Sequence, residues 1–159
     1  MSGFTHIIVH CSASAWGCAR EIRQWHIDPK RKGGPFNDIG YQFVIGNGSP
    51  RPDLTLLSLD GQIECGRYLD GDNIVEENEV GAHALGYNRT SIGICLIGKP
   101  FTVAQFDSLK ALVLDLCRKF DIKPDNILGH CETESGKAEG KTCPDFDVAA
   151  IRMWAKGRI

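Results

Sequence analysis

The feature that most constrains the fold is the apolar run IGICLI at residues 92–97. A strand with one face in water alternates polar and apolar side chains, whereas a strand covered on both faces is apolar throughout. This run therefore predicts a central strand with other elements packed on both sides of it. Residues 5–10, 41–45 and Ile127–Gly129 are shorter runs rich in β-forming side chains, and we predict further strands there.

Three other segments have the side-chain spacing of helices. The longest, Val103–Phe120, places apolar side chains three and four residues apart, and Thr102 followed by Gln105 predicts a capping box at its first turn. Shorter helices are predicted over residues 18–27 and from about residue 145 to 156. These helices supply the apolar faces that would cover the central strand.

The order of these segments predicts one α/β domain over residues 1–159, with a mixed central β-sheet flanked by helices. Apolar residues make up 42% of the chain, which is ordinary for a globular protein. Residues 131–142 are polar and contain glycine, so we predict a loop there. The adjacent Asp60 and Gly61 are typical of a tight turn and suggest a hairpin.

The charge and cysteine content exclude several classes of protein. The chain has 18 Lys and Arg residues against 20 Asp and Glu, so its composition does not favour nucleic-acid binding. No apolar run approaches the roughly 18 residues that a membrane helix needs. Seven cysteines without a short repeated spacing are not typical of a disulfide scaffold. The amino-terminal sequence MSGFTHIIVHCSAS lacks the pattern of a signal peptide, so we expect a protein made in the cytoplasm.

Three potential metal ligands lie at the ends of predicted strands or beside a proline. His10 ends the first strand, His130 follows Ile127–Gly129, and Cys143 precedes Pro144. Side chains at strand ends are where α/β sheets place functional groups. Two imidazoles and one thiolate suit zinc and leave a fourth tetrahedral position for water, as in zinc hydrolases. With five histidines and seven cysteines, the residue types alone also allow other combinations.

Five strings along the chain carry a resemblance to a known family. They are VHCSAS at 9–14, REIRQWH at 20–26, DIGYQFVI at 38–45, GAHALGYNRTSIGICLIG at 81–98 and GHCETESGKAEGKTCPDFDV at 129–148. With these strings in this order, the chain resembles the zinc-dependent N-acetylmuramoyl-L-alanine amidases of the phage amidase-lysozyme type, relatives of the peptidoglycan-recognition proteins. The resemblance implies their fold and hydrolysis of the amide between N-acetylmuramic acid and L-alanine in peptidoglycan. It also implies one zinc ion (Zn²⁺) held by His10, His130 and Cys143.

The resemblance implies roles for three further residues. Tyr41 and Lys141 would be catalytic groups, and His83 would be a cleft residue that binds substrate without ligating the metal. These roles are chemically reasonable, because hydrolysis of a resonance-stabilised amide needs donors that stabilise the tetrahedral oxyanion. The stretch between His130 and Cys143 is longer here than in the phage relatives, and the added residues would reshape a wall of the cleft.

Neighbouring polar residues are weaker candidates. Glu132 is predicted to be either a hydrogen-bond partner of a ligand imidazole or, with more weight, a solvated surface residue. Cys131 is expected to point away from the metal because neighbours on a strand face opposite sides. His6 and His26 show no partner pattern, so we expect both to be structural.

Other functions stay open at this point. A non-catalytic peptidoglycan-binding module is one alternative, although Cys143 in its Lys-Thr-Cys-Pro setting favours an enzyme. A regulatory partner of a phage RNA polymerase is another, and a serine or cysteine hydrolase is a third, for which the chain lacks a GxSxG motif. We expect a monomer that binds peptidoglycan or muropeptides, and neither nucleic acid nor membrane. An endolysin that reaches the cell wall after holin-type release fits these expectations, as does a bacterial recycling amidase.

Overall fold

The computed structural model describes residues 3–67, 72 and 74–159, which form a five-stranded mixed sheet with helices on both faces. In chain order the strands are β1 (His6–Cys11), β2 (Phe43–Asn47), β3 (Asp60–Cys65), β4 (Ser91–Leu96) and β5 (Ile127–Gly129). Their order across the sheet is β3-β2-β4-β1-β5, and only β3 runs antiparallel to its neighbour. The predicted α/β fold with a mixed central sheet is confirmed.

In the residues that the structure describes, four α-helices accompany the sheet, together with short 3₁₀ turns. The helices are α1 (Ala19–Ile27), α2 (Val103–Phe120), α3 (Glu134–Ala138) and α4 (Val148–Lys156). Within the described residues, no helix combines the length and the apolar character needed to cross a membrane.

The central strand β4 is buried along its whole length, as its apolar run predicts. Ile94 and Leu96 face the larger core, which is covered by α2 and α4. Cys95 and Ile97 face the opposite side and pack with Ile22 of α1 in a smaller cluster. The sheet therefore has a broad apolar face and a second face on which α1 leaves room for polar groups.

Helix α2 has the predicted bounds and the predicted capping box. Thr102 Oγ1 accepts a hydrogen bond from the Gln105 backbone, and the Gln105 side chain accepts one from the Thr102 backbone. The same Gln105 amide donates to the carbonyls of Ile45 and Ile97, at 3.0 and 2.8 Å. Because Gln105 bonds to both the helix start and the sheet, this cap fixes α2 on the sheet as well as starting the helix.

Asp60 and Gly61 do not form the predicted hairpin turn. They begin strand β3, and the apolar residues before them form an exposed 3₁₀ turn, Leu57–Leu59. Gly61 has a φ of +76°, and a Cβ at this position would lie only 2.8 Å from the Ala104 carbonyl oxygen. The glycine therefore accommodates the close approach of α2 to the sheet rather than a chain reversal.

The predicted loop at residues 131–142 contains helical structure. A 3₁₀ turn, His130–Glu132, leads directly into α3, whose first turn is capped by Thr133. The last helix begins at Val148 with Asp147 as its cap, later than predicted, since Asp145 has a φ of +66° that an α-helix does not allow. These elements form the wall of the site that carries His130 and Cys143.

Candidate active site

The carboxyl ends of β1 and β5 bring the predicted metal ligands together. The paired residues Val9 and Gly129 lie side by side in the parallel sheet, so the next residues, His10 and His130, are neighbours. Their ring centroids are 4.7 Å apart. One nitrogen of each imidazole and the Cys143 sulfur all lie within 4.8 Å of one another. The three side chains can therefore hold one metal ion together.

Cys143 is positioned by hydrogen bonds to the ends of the same two strands. The backbone N–H of Cys11 donates to Cys143 Sγ at 3.1 Å, and the N–H of Cys131 donates to the Cys143 carbonyl at 2.8 Å. A hydrogen bond with the Cys11 thiol and burial raise the pKa of the Cys143 thiol above its ordinary value. Binding of a cation must therefore displace a proton from this sulfur.

A chain of hydrogen bonds determines which nitrogen of His10 faces the sulfur. The Ser91 hydroxyl donates to the Tyr87 carbonyl at 2.8 Å, so the Ser91 oxygen is left to accept from His83 Nε2 at 3.4 Å. His83 Nδ1 is then an acceptor for the N–H of His10 Nε2, 2.9 Å away. This leaves His10 Nδ1 unprotonated, 3.9 Å from Cys143 Sγ.

His83 fits this position because Gly93 of β4 has no side chain. A Cβ on Gly93 would lie 2.7 Å from the His83 ring. Both ring nitrogens of His83 are within hydrogen-bonding distance of protein groups, so the imidazole is engaged with His10 and Ser91. The predicted role of His83 in binding substrate stays a prediction, and the structure adds a contact that orients His10, a predicted metal ligand.

The imidazoles at the site are held in the neutral form that binds metal. Burial lowers the pKa of His10 well below its ordinary value, and the nearby His83 and His130 lower it further. Burial also lowers the pKa of His83 to about 3. The pKa of His130 is lowered by burial and by the positive charge of Lys141. The three rings are therefore uncharged at neutral pH.

The two predicted catalytic groups flank the ligands. Tyr41 lies just before β2 rather than inside the predicted strand, and its ring centroid is 4.9 Å from that of His10. Burial and the thiols of Cys95 and Cys143 raise the pKa of Tyr41 well above its ordinary value, so its hydroxyl remains a donor. Lys141 is half exposed, and its ammonium lies 3.3 Å from a Glu139 carboxylate oxygen.

All six predicted site residues line one cavity of about 540 Å³. They are His10, Tyr41, His83, His130, Lys141 and Cys143. The cavity is also lined by His26, Arg31 and Phe36, which are near the end of α1 and in the loop that follows it. His26 also has the predicted structural role, because its Nδ1 accepts a hydrogen bond from the Gly40 backbone at 2.9 Å. The sequence contains a signal for this position, because His26 lies four residues after the buried Ile22 and residues at this spacing share one face of a helix.

Glu132 has neither of its predicted roles. Its two carboxylate oxygens accept from the Arg152 guanidinium at 2.8 Å each, and one also accepts from the Gly129 backbone at 2.7 Å. Arg152 belongs to α4, twenty residues further along the chain, so no local pattern pointed to the pair. The ion pair fixes the end of β5, from which His130 extends.

Arg67 is a structural residue that sequence reasoning missed. Its guanidinium donates to the carbonyls of Ile39 at 2.7 Å, Val80 at 2.8 Å and Asp38 at 3.2 Å. One side chain thus joins the segment that precedes Tyr41 to the segment that precedes His83. Tyr41 and His83, to which these segments lead, both line the cavity.

Two imidazoles and one thiol, of which His10 is buried and His130 and Cys143 are half-buried, converge at the strand ends of an α/β sheet. This donor set is typical of zinc hydrolase sites. Comparisons with known proteins identify the family. The family model for N-acetylmuramoyl-L-alanine amidase matches residues 3–146, and the chain belongs to this family of peptidoglycan amidases.

Individual relatives agree with this family. The endolysin of Escherichia phage T7 is 34% identical over 96% of this chain and 87% of its own length. The solved structure of the amidase LysC from Clostridium intestinale superposes with a TM-score of 0.70 at 25% identity, over 98% of this chain and 87% of the other. A Drosophila PGRP-LB mutant in complex with tracheal cytotoxin superposes with a TM-score of 0.62 at 27% identity, over 91% and 76% of the two chains.

Proposed function

We propose that this amidase hydrolyses the bond between N-acetylmuramic acid and L-alanine with zinc held by His10, His130 and Cys143. The observation that carries the proposal is the convergence of one nitrogen from each imidazole and the sulfur to within 4.8 Å of one another. Two neutral imidazoles and a thiolate are a donor set that zinc prefers. When bound, zinc would supply a Lewis acid and a water of lowered pKa beside the scissile carbonyl.

The protein groups around the ligands would stabilise the transition state. The Tyr41 hydroxyl remains protonated and can donate to the oxygen that becomes negatively charged as the carbonyl is attacked. Lys141 brings a positive charge to the same cavity. Because this negative charge is absent from the ground state, both donors would lower the barrier more than they strengthen substrate binding.

Muropeptides are the proposed ligands and the cell wall is the proposed place of action. The endolysin relatives and the recognition protein bound to tracheal cytotoxin support this assignment. Release through membrane lesions of the holin type belongs to the same proposal. Binding to a phage RNA polymerase and a monomeric state stay predictions, which a pull-down with the polymerase and a solution mass measurement would test.

Product analysis tests the proposed reaction. Purified protein is incubated with intact sacculi and with soluble muropeptides, and mass spectrometry should find free sugar chains and peptides with a new amino-terminal L-alanine. Cys143→Ser should abolish this release. Cys18→Ser, a change at a half-buried cysteine outside the cavity, should leave it intact. Cleavage at a glycosidic bond or between two peptide residues would contradict the proposal, and so would full activity in Cys143→Ser.

A further inference from the structure

The cavity that contains the predicted metal ligands is also lined by a cation, Arg31, whose position is fixed by its own loop. Arg31 follows α1, and its backbone N–H donates to the Asp28 carbonyl at 2.9 Å. The Gly34 N–H donates to the Arg31 carbonyl at 2.9 Å, and the Phe36 N–H donates to the His26 carbonyl in α1 at 2.7 Å. These bonds close the loop into a defined shape and hold Arg31 at the cavity.

The guanidinium of Arg31 is oriented as well as positioned. Its central carbon lies 3.8 Å from the centroid of the Phe36 ring, and one terminal nitrogen donates to the Gly34 carbonyl at 2.9 Å and more weakly to the Lys32 carbonyl at 3.4 Å. Stacking on an aromatic ring restricts the side chain without using its other N–H groups. The restricted guanidinium therefore keeps donors that can bind a ligand.

No carboxylate neutralises Arg31 within the part of the chain that the structure describes. The acidic residues that line the cavity bind other cations, since Glu139 pairs with Lys141 at 3.3 Å and Asp145 pairs with Lys99 at 3.4 Å. Across the described residues, the Arg31 guanidinium donates hydrogen bonds only through the one terminal nitrogen that contacts its own loop. A fixed guanidinium of this kind, lining a cavity beside a hydrolytic site, is suited to a planar anion.

We infer that Arg31 binds a carboxylate of the stem peptide, and this inference rests on the proposed function. The stem is anionic beyond its L-alanine. A glutamyl residue joined through its side chain keeps a free main-chain carboxylate, and a diaminopimelyl residue brings another. Either group is a planar acceptor that matches the two-pronged geometry of a guanidinium. Arg31 would thereby select muropeptides by the charge of the stem.

Amidated muropeptides separate the two sources of the carboxylate. The substrates are muramyl tripeptides with both carboxylates free, with the glutamyl carboxylate converted to an amide, or with the diaminopimelyl carboxylate converted to an amide. For the wild type, kcat/KM on one of the two amides should be about ten- to a hundredfold lower than on the tripeptide with both carboxylates free. This is the size expected for the loss of a hydrogen bond to a charged group. That amide identifies the carboxylate that Arg31 binds.

Variants of Arg31 then test whether this residue is responsible. Arg31→Gln should lose the same factor on the free acid and nothing further on the amide that the wild type already handles poorly. Arg31→Lys keeps the charge but not the planar fork, so its loss should be intermediate. Arg23→Gln is the matched control, because Arg23 is an exposed arginine that pairs with Asp38 outside this cavity. It should retain the wild-type discrimination.

Several results would overturn the inference. One is a loss of kcat/KM in Arg31→Gln that is equal on the free acid and on both amides. Another is a wild type with the same kcat/KM on all three substrates. The third is a loss in Arg23→Gln that matches that of Arg31→Gln. Calorimetric binding of the same substrates to Cys143→Ser, with and without Arg31→Gln, decides the question independently of hydrolysis. If the wild type cuts no muropeptide, the proposed function fails, and the calorimetric comparison still supports or overturns the role of Arg31.

Discussion

The two faces of the sheet are built for different purposes. The face beneath α2 and α4 is a large apolar cluster in which residues such as Leu109 and Ile94 are fully buried. The face beneath α1 has a much smaller apolar cluster, and beside it lie buried imidazoles, a tyrosine and a thiol around a cavity. Because its apolar cluster is so much larger, the face beneath α2 and α4 supplies most of the hydrophobic stabilisation. The other can therefore carry polar groups that cost free energy to bury.

Among variants that keep the three proposed metal ligands, removal of a hydrogen-bond donor from the cavity should lower activity the most. Tyr41→Phe and Lys141→Ala should each lower kcat by about a hundred- to a thousandfold, the usual cost of losing one oxyanion donor. Zinc content and thermal midpoint should change little, because neither side chain is a metal ligand. Turnover of muropeptides, measured with zinc content on the same samples, checks this.

Tyr87→Phe is the control for the hydroxyl. The Tyr87 ring packs against His6, with centroids 5.3 Å apart, and does not line the cavity. Its variant should turn over substrate at the wild-type rate. If Tyr41→Phe behaves like Tyr87→Phe, then Tyr41 does not act in the chemical step.

A cavity in the apolar face should affect stability and leave the site intact. Leu109 in α2 is fully buried, and Leu109→Ala should lower the free energy of unfolding by about 2–5 kcal/mol. Val103→Ala, at an exposed position of the same helix, should change it by less than about 0.5 kcal/mol. Urea unfolding measures both. A Leu109→Ala protein of normal stability but weak zinc affinity would show that the two faces are not separable.

The hydrogen bond between His83 and His10 should contribute to metal affinity. His83→Ala should weaken zinc binding by about ten- to a hundredfold, as loss of a partner behind a ligand does. His83→Asn should lose less, because its amide oxygen can accept from His10 Nε2 near the position of His83 Nδ1. Competition with a chelator gives the affinities, and nitrogen NMR of the zinc-free protein reports the His10 tautomer. Equal affinity in all three proteins, with only KM raised, would make His83 a substrate contact instead.

The buried imidazoles predict a modest pH dependence of stability in the zinc-free protein. Burial, with the charges of Arg31 and Arg67, lowers the pKa of His26 from 6.5 to about 4. The unfolded chain therefore binds more protons than the folded one between these values. The free energy of unfolding should fall as pH falls through this window and stay level above it.

His26→Asn tests this dependence at one residue. The asparagine oxygen can still accept from the Gly40 N–H, but the side chain does not titrate. Urea unfolding of this variant between pH 7 and pH 4 should show a smaller fall than the wild type. The fall should not vanish, because His10 and His83 also have lowered pKa values. An identical fall would mean that His26 does not contribute to it.

The parts of the fold that depend on local interactions were predictable. Helix α2 follows from its apolar spacing and from Thr102 and Gln105, which are three residues apart. The burial of β4 was predictable because its apolar run does not alternate with polar side chains, so neither face of the strand is suited to water. The convergence of the metal ligands was predicted from strand ends together with the resemblance to a known family, and the geometry agrees with it.

The features that were missed depend on contacts between distant segments. The Glu132–Arg152 ion pair joins the 3₁₀ turn after β5 to α4, and the Arg67 guanidinium joins the segments that precede Tyr41 and His83. Gly61 was interpreted as a turn because its close contact with α2 is more than forty residues away along the chain. No pattern in a short window contains such pairs. They become visible only when the chain is folded.

We propose that the cavity face holds zinc through His10, His130 and Cys143. Zinc content combined with X-ray absorption on the purified protein tests it most directly. We predict one zinc per chain, with one sulfur at about 2.3 Å and two imidazole nitrogens at about 2.0 Å, and loss of the sulfur signal in Cys143→Ser. Absence of stoichiometric zinc from protein that was never exposed to a chelator would contradict this assignment. Zinc that has no sulfur ligand would contradict it as well.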